Sequence, residues 1–186
     1  KPFWGFSLTH QERKKIKGKR FFVHINSHFK YNGHLSYGEL YLRGRSSKEI
    51  LITTYICHPS MANNEISGPV VSTFVAKYFK NVKNKYSMGF IFVPETIGAI
   101  FYISKNLKKL KKNVIAAYNL SCIGDERGYS YIPTKYGNTL SDIAVKQAFK
   151  ELKIKFKSYS FLDRGSNERQ FNSPYIDIPM AVLMRS

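Results

Sequence analysis

The sequence predicts a three-layer α/β sandwich, and three observations carry that prediction. Three apolar runs, Ile50–Ile56, Tyr86–Val93 and Val114–Ile123, have the length and the β-branched and aromatic content of buried strands. Each stops at a polar turn: Cys57-His58-Pro59, Pro94-Glu95-Thr96 and Gly124-Asp125-Glu126. The first two turns lead into apolar segments long enough for helices, so strand and helix alternate, the order that builds a sheet covered on both faces.

Taken in order, the chain begins with the apolar residues Phe3, Trp4, Phe6 and Leu8. Thr9 and Glu12 then form a capping-box pattern ahead of a short basic helix, Gln11–Ile16. Arg20–Phe29 alternates weakly, Asn32-Gly33 signals a turn and Leu35–Leu42 alternates again, which predicts a hairpin over residues 20–45. His24 and His28 would lie about 13 Å apart along such a strand, too far to chelate one ion, so these two and His34 read as exposed hairpin histidines. The strand Ile50–Ile56 ends where Pro59 cannot donate to a ladder, and Ser67-Gly68-Pro69 opens a helix, Val70–Phe79. After the basic connection Lys80–Lys85, the strand Tyr86–Val93 is followed by a helix over Ile97–Leu107. Val114–Ile123 and a short strand, Tyr129–Ile132, come next. Leu140, Ile143, Ala144, Ala148 and Leu152 recur at helical spacing within Asn138–Leu152. Phe156–Phe161 reads as an edge strand and Ile178–Met184 as the last core strand. No internal repeat and no low-complexity linker interrupts residues 1–186, which read as one domain.

Composition narrows the function. With 43% apolar residues the chain has material for a proper core. No apolar run is long enough to span a bilayer and the first residues lack the apolar core of a signal peptide, so a cytoplasmic protein without membrane association is expected. Cys57 and Cys122 fall in apolar, strand-like runs and read as buried free thiols. The net charge of +18 raises nucleic acid as a partner. The basic residues are mostly lysines spread along the chain, with local clusters at Arg13–Arg20 and Lys105–Lys112, and solvated lysine faces are the preferred reading over nucleic-acid binding. A homo-oligomer stays open.

The chemistry collects at strand ends. His58, Glu65, Glu95, Asp125 and Glu168 occupy successive loops, and imidazole with carboxylates is the donor set of a hydrolytic metal site. Each has an ordinary alternative. His58 could be a hydrogen-bonded structural histidine, Glu95 a helix cap, Asp125 the head of an Asx turn, and Glu168 an ion-pair partner of Arg164 or Arg169.

Four runs carry a family resemblance: Cys57–Pro69, Val93–Gly98, Cys122–Asp125 and Asp163–Gln170. They resemble the bacterial aminopeptidase-like family, first catalogued as a domain of unknown function and often found near surface-polysaccharide genes. The likeness runs from about residue 3 to residue 186. That family in turn is similar to the zinc aminopeptidases, whose α/β/α sandwich surrounds a mixed, mainly parallel sheet and binds two zinc ions in a shared cleft. The resemblance implies a zinc-dependent hydrolase of a small peptide or amide, with one or two ions. His58 matches the first zinc histidine. Asn64 stands where those enzymes have the bridging aspartate, with Glu65 beside it as a stand-in. Glu95 matches one member of a glutamate pair, of which one is the general base and the other a ligand, and the base is the role expected of it. Ser121 replaces a further aspartate, for which Asp125 would supply the carboxylate, and Glu168 or Arg169 would meet the substrate's terminus. The last zinc histidine of those enzymes lies beyond the final core strand, and no histidine follows His58 here, so the expectation is a fragment lacking a C-terminal segment. The alternative is a catalytically inactive binding module of the same fold, associated with surface-polysaccharide biosynthesis.

Overall fold

The computed structural model describes residues 5, 8–18, 20–163 and 165–186. Phe3, Trp4, Phe6 and the ion-pair candidate Arg164 lie outside them. Two compact units divide the chain, Lys1–Gly33 and His34–Ser186.

In the first unit the capping box forms as expected. The Glu12 amide donates to Thr9 Oγ1 at 3.2 Å and the Thr9 amide to Glu12 Oε2 at 3.1 Å, starting helix α1, His10–Lys15. Its last turn holds Arg13, Lys14 and Lys15, cations that suit the negative end of the helix dipole.

The second unit holds a seven-stranded mixed sheet. Its strands are β1 (Gly38–Leu42), β2 (Ser46–Tyr55), β3 (Tyr86–Val93), β4 (Val114–Leu120), β5 (Tyr129–Ile132), β6 (Phe156–Ser158) and β7 (Met180–Arg185), in the order β1-β3-β2-β4-β7-β5-β6. β2 runs parallel to β3 and β4, β4 parallel to β7 and β5 parallel to β6, while β1 and β5 lie antiparallel to β3 and β7. Helices cover both faces. On one, α3 (Ile97–Asn113) and α5 (Asn167–Phe171) bring Ala99, Tyr102, Ile103, Leu110 and Phe171 onto Leu51, Ile91, Ala117 and Met180. On the other, α2 (Ser67–Lys80) sets Val71, Val75 and Ala76 against Ile52, Phe90 and Leu120, and α4 (Leu140–Glu151) sets Val145 and Phe149 against Tyr131 and Ala181. The alternation of Leu51 and Ile52 between the two clusters is the period-2 pleat of a strand buried on both sides. Gly68 lets the start of α2 approach the sheet, since a Cβ there would run into Thr54 Oγ1 and the Leu120 carbonyl.

The three-layer prediction therefore holds, and its departures have local causes. The 20–45 hairpin does not form. Residues 20–33 contain no strand, and β1 pairs with β3, Gly38 opposite Phe92 and Leu42 opposite Met88. Leu42 thereby joins the apolar cluster around Phe90, a burial gained by pairing with the core strand β3. Both cysteines are free, but Cys57 is exposed and Cys122 half-buried, because β2 stops at Tyr55 and β4 at Leu120, ahead of each thiol. α3 runs on to Asn113, and β6 ends at Ser158 with a 3₁₀ turn at Phe161–Asp163. Among the described residues no helix is long and apolar enough to cross a membrane.

A buried carboxylate ties α4 to the sheet. Asp142 is fully buried and accepts the Tyr131 hydroxyl, the Thr134 amide and hydroxyl at 2.9 and 2.6 Å, and the Thr139 amide and hydroxyl at 2.8 and 2.7 Å. Burial alone would raise its pKa, but the donors outweigh it and hold the carboxyl below its ordinary value. A depressed folded-state pKa stabilises the fold at every pH above the ordinary aspartate range, and this contribution is lost as pH falls through the folded-state value. Asp142→Ala is expected to lower stability at neutral pH by about 3 kcal/mol in denaturant unfolding, with the gap to the native protein narrowing in acid.

Candidate functional site

Because β2, β3 and β4 are parallel, their carboxyl ends open along one edge of the sheet, where ligands collect in open α/β folds. Tyr55 lies opposite Val93 in the register, which places His58 and Glu95 a few residues past adjacent strands. The cleft at this edge has a volume of about 640 Å³ and is lined by His34, Leu35, Ser36, Cys57, His58, Pro94, Glu95, Thr96 and Ile97.

The loop after β2 folds back on itself. The Met61 amide donates to the His58 carbonyl at 3.1 Å, and the Glu65 amide to the Met61 carbonyl at 2.9 Å, within a wide π-helical turn, Ala62–Ile66. Such turns recur at functional sites. This one delivers a nearly buried carboxylate to the strand end: Glu65 Oε1 is 2.7 Å from His58 Nδ1, and Oε2 accepts the Cys57 amide at 2.5 Å. The His58 side chain is 45% exposed and so remains reachable from the cleft. Cys57 Sγ lies 3.3 Å from His58 Nδ1 and accepts the Glu95 amide at 3.2 Å. Burial raises the Cys57 thiol pKa, the Glu95 N–H opposes the rise, and the Glu65 and Glu95 charges add to it.

Glu95 is set by its backbone. Thr96 has φ 61° and ψ −66°, and the Ile97 amide donates to the Glu95 carbonyl at 2.6 Å, a γ-turn of the rare positive-φ kind. Strain of this order, about 1–3 kcal/mol, persists only where neighbours over-determine the backbone. Here the fully buried Asn167 does so, its Oδ1 accepting the Thr96 amide at 2.9 Å.

The remaining expected residues lie elsewhere. Asn64 turns its amide toward the Tyr55 hydroxyl and Cys122 Sγ, both at 3.4 Å, and Tyr55 in turn meets the buried Ser121 hydroxyl. Asp125 is held by Arg127 Nε at 2.8 Å and Nη2 at 2.5 Å and by Asn63 Nδ2 at 2.7 Å, and the Arg127 guanidinium keeps its carboxyl below the usual range. Glu168 is fully buried beneath the sheet edge, accepting the Ser166 amide at 3.0 Å and Asn119 Nδ2 at 3.3 Å. Arg169 is exposed and donates to the Leu162 carbonyl at 3.4 Å. Neither Glu168 nor Arg169 lines the cleft. The structure thus pairs His58 with Glu65 and sets Glu95 on the cleft that His58 lines, while Asp125, Glu168 and Arg169 do not line that cleft.

His58 Nδ1 and Glu65 Oε1 are hydrogen-bonded at 2.7 Å, and they are a nitrogen and an oxygen of the kinds that bind a metal ion. Cys57 belongs to the same group of donors, all within 4.8 Å of one another. Sequence reasoning missed Asn167 and the cleft positions of Cys57 and His34. For the first two the signal was adjacency alone: Cys57 precedes His58, and Asn167 lies within the run Asp163–Gln170.

The mixed, mainly parallel sheet with helices on both faces has the fold of the zinc aminopeptidases. BSAP, a zinc aminopeptidase from Bacillus subtilis, superposes with a TM-score of 0.67 at 16% identity, covering 81% of this chain and 39% of that one, a likeness of fold alone. A crystal structure of a Clostridium acetobutylicum protein, provisionally named a peptidase, superposes with a TM-score of 0.77 at 43% identity over 81% of this chain and 35% of that one. A curated relative from Clostridium acetobutylicum is 42% identical over the whole of this chain. It is named, provisionally, a polysaccharide biosynthesis protein with an aminopeptidase-like domain. The chain spans 42% of that relative's length. The family described as "Domain of unknown function (DUF4910)" matches residues 13–186, and the chain belongs to it.

Asn167→Ala removes the acceptor of the Thr96 amide. A loss of about 1–3 kcal/mol in denaturant unfolding is expected, with faster hydrogen exchange at Thr96.

Proposed function

We propose that the protein is a zinc-dependent, aminopeptidase-like hydrolase of a peptide or amide bond in a small substrate. The observation that carries this reading is the pairing of His58 with the buried Glu65 at the carboxyl end of β2, with His58 and Glu95 lining one cleft at the edge of a zinc-aminopeptidase-like sheet. His58 Nδ1 and Glu65 Oε1 would hold the ion, whose chemistry when bound is Lewis-acid polarisation of the scissile carbonyl. Glu95 would take the proton of the attacking water and return it to the leaving amine. The γ-turn at Thr96 and the Asn167 acceptor keep the Glu95 backbone fixed while it does so. One ion is preferred to two, since Asn64 is a neutral amide engaged with Tyr55 and Cys122, and the oxygens of Asp125 are committed to Arg127 and Asn63.

A second reading, a binding module of the same fold, draws on the same neutral residues. Where the resemblance expects carboxylates, Asn64 and Ser121 flank the Tyr55 hydroxyl.

Aminoacyl-reporter hydrolysis by the purified full-length protein separates the two. Glu95→Gln is expected to lower kcat by about 10²–10⁴-fold with the zinc content unchanged. Zinc-loaded protein that hydrolyses no aminoacyl or amide reporter supports the binding module, and full activity in Glu95→Gln removes Glu95 as the base.

A further inference from the structure

We infer that the Cys57 thiolate is itself a metal ligand, so that Cys57, His58 and Glu65 form a mixed sulfur, nitrogen and oxygen site selective for a thiophilic divalent ion. The inference rests on the metal reading above and goes beyond it, because none of the ligand roles that the resemblance implies falls to a sulfur.

The geometry carries it. A tetrahedral zinc ion with its usual bond lengths sets neighbouring donors roughly 3.3–3.6 Å apart. Sγ to Nδ1 is 3.3 Å, Nδ1 to Oε1 2.7 Å and Sγ to Oε1 4.0 Å, a triangle whose edges bracket that range. The short edge is a hydrogen bond between His58 and Glu65, so the proton on it occupies a place between two donors that a cation can take. Each anionic donor also has the outer hydrogen bond that ligands characteristically receive. Glu65 keeps Oε2 on the Cys57 amide, which leaves Oε1 for the ion. Cys57 Sγ accepts the Glu95 amide, a contact that strengthens as sulfur gains charge.

Sequence explains why the three meet. Cys57 and His58 are adjacent but follow β2 after its ladder has ended, so their side chains need not point to opposite faces as they would within a strand. The π-helical turn then brings Glu65 back over both. These residues supply three protein donors, and His58 and Cys57 line the cleft, so a fourth position can face the substrate, as in catalytic rather than structural zinc sites. A thiolate in the set favours Zn²⁺, Cd²⁺ and Co²⁺ over Mg²⁺ and Mn²⁺. The same contact couples the site to the candidate base, since the Glu95 amide is the group that meets the sulfur.

Cobalt reports on sulfur directly. Metal-free full-length protein, titrated with Co²⁺ under reducing, anaerobic conditions, is expected to develop tetrahedral d–d bands together with a thiolate-to-cobalt charge-transfer band in the near ultraviolet. In Cys57→Ser, a near-isosteric change at an exposed position, the charge-transfer band is expected to vanish while d–d absorption persists at weaker affinity; in His58→Ala both are lost. Zinc-edge X-ray absorption of the native protein is the check that needs no variant, with one sulfur neighbour expected at about 2.3 Å. Cobalt bound without a charge-transfer band, a band that survives Cys57→Ser, or a zinc shell of nitrogen and oxygen only would overturn the inference and leave the hydrolase reading standing. Failure of the native protein to bind either ion would overturn both.

Discussion

The candidate site depends on the two-handed grip of the Glu65 carboxylate. One oxygen holds the Cys57 amide and the other the His58 ring, so a single buried side chain closes the loop after β2 and orients the imidazole at its end. A carboxylate is expensive to bury without donors, and these two donors come from the first residues beyond the strand ladder. Without Glu65, Cys57 and His58 would be a solvated strand exit. With it, they become a preorganised set of donors in a cleft.

The rest of the fold serves that grip by placing parallel strand ends side by side. The register of Tyr55 with Val93 brings the β2 and β3 exits together, and the Glu95 amide reaches the Cys57 sulfur across them. Beneath the cleft, Thr53, Asn119 and Glu168 form a buried polar chain, with Thr53 Oγ1 donating to Asn119 Oδ1 at 2.9 Å and Asn119 to Glu168. Asn167, beside Glu168 in α5, reaches the strained turn at Thr96. Asn167 and Glu168 therefore hold the site through Thr96 and Asn119 and are not among the residues that line the cleft.

The fold was largely legible in the sequence because it is written in burial. Runs such as Tyr86–Val93 are mostly apolar without alternation, as a strand covered on both faces requires, and the bounds of that strand and of Tyr129–Ile132 coincide with the expectation. The misplaced hairpin shows the limit. Leu35–Leu42 has strand character, but its partner is a distant segment chosen by apolar burial, and the turn signal at Asn32-Gly33 carries no information about that competition. The site was legible in residue type and only partly in geometry. His58 and Glu65 pair because a strand exit and a short return loop are local properties, and Glu95 follows the neighbouring strand into the cleft that His58 lines. Asp125 was expected beside them, but Arg127, two residues on, closes on it first. Glu168 was expected at the substrate's terminus or in an ion pair with a neighbouring arginine, and only the tertiary packing shows it buried against Asn119.

The most direct test of this account is zinc binding by full-length Glu65→Gln, measured by competition with a chromophoric chelator. Glutamine keeps the shape and can still accept the Cys57 amide, but it removes the charge that joins His58 to the loop. The account predicts zinc affinity weakened by more than about tenfold with the fold intact by circular dichroism. Native affinity in a folded Glu65→Gln protein would contradict it.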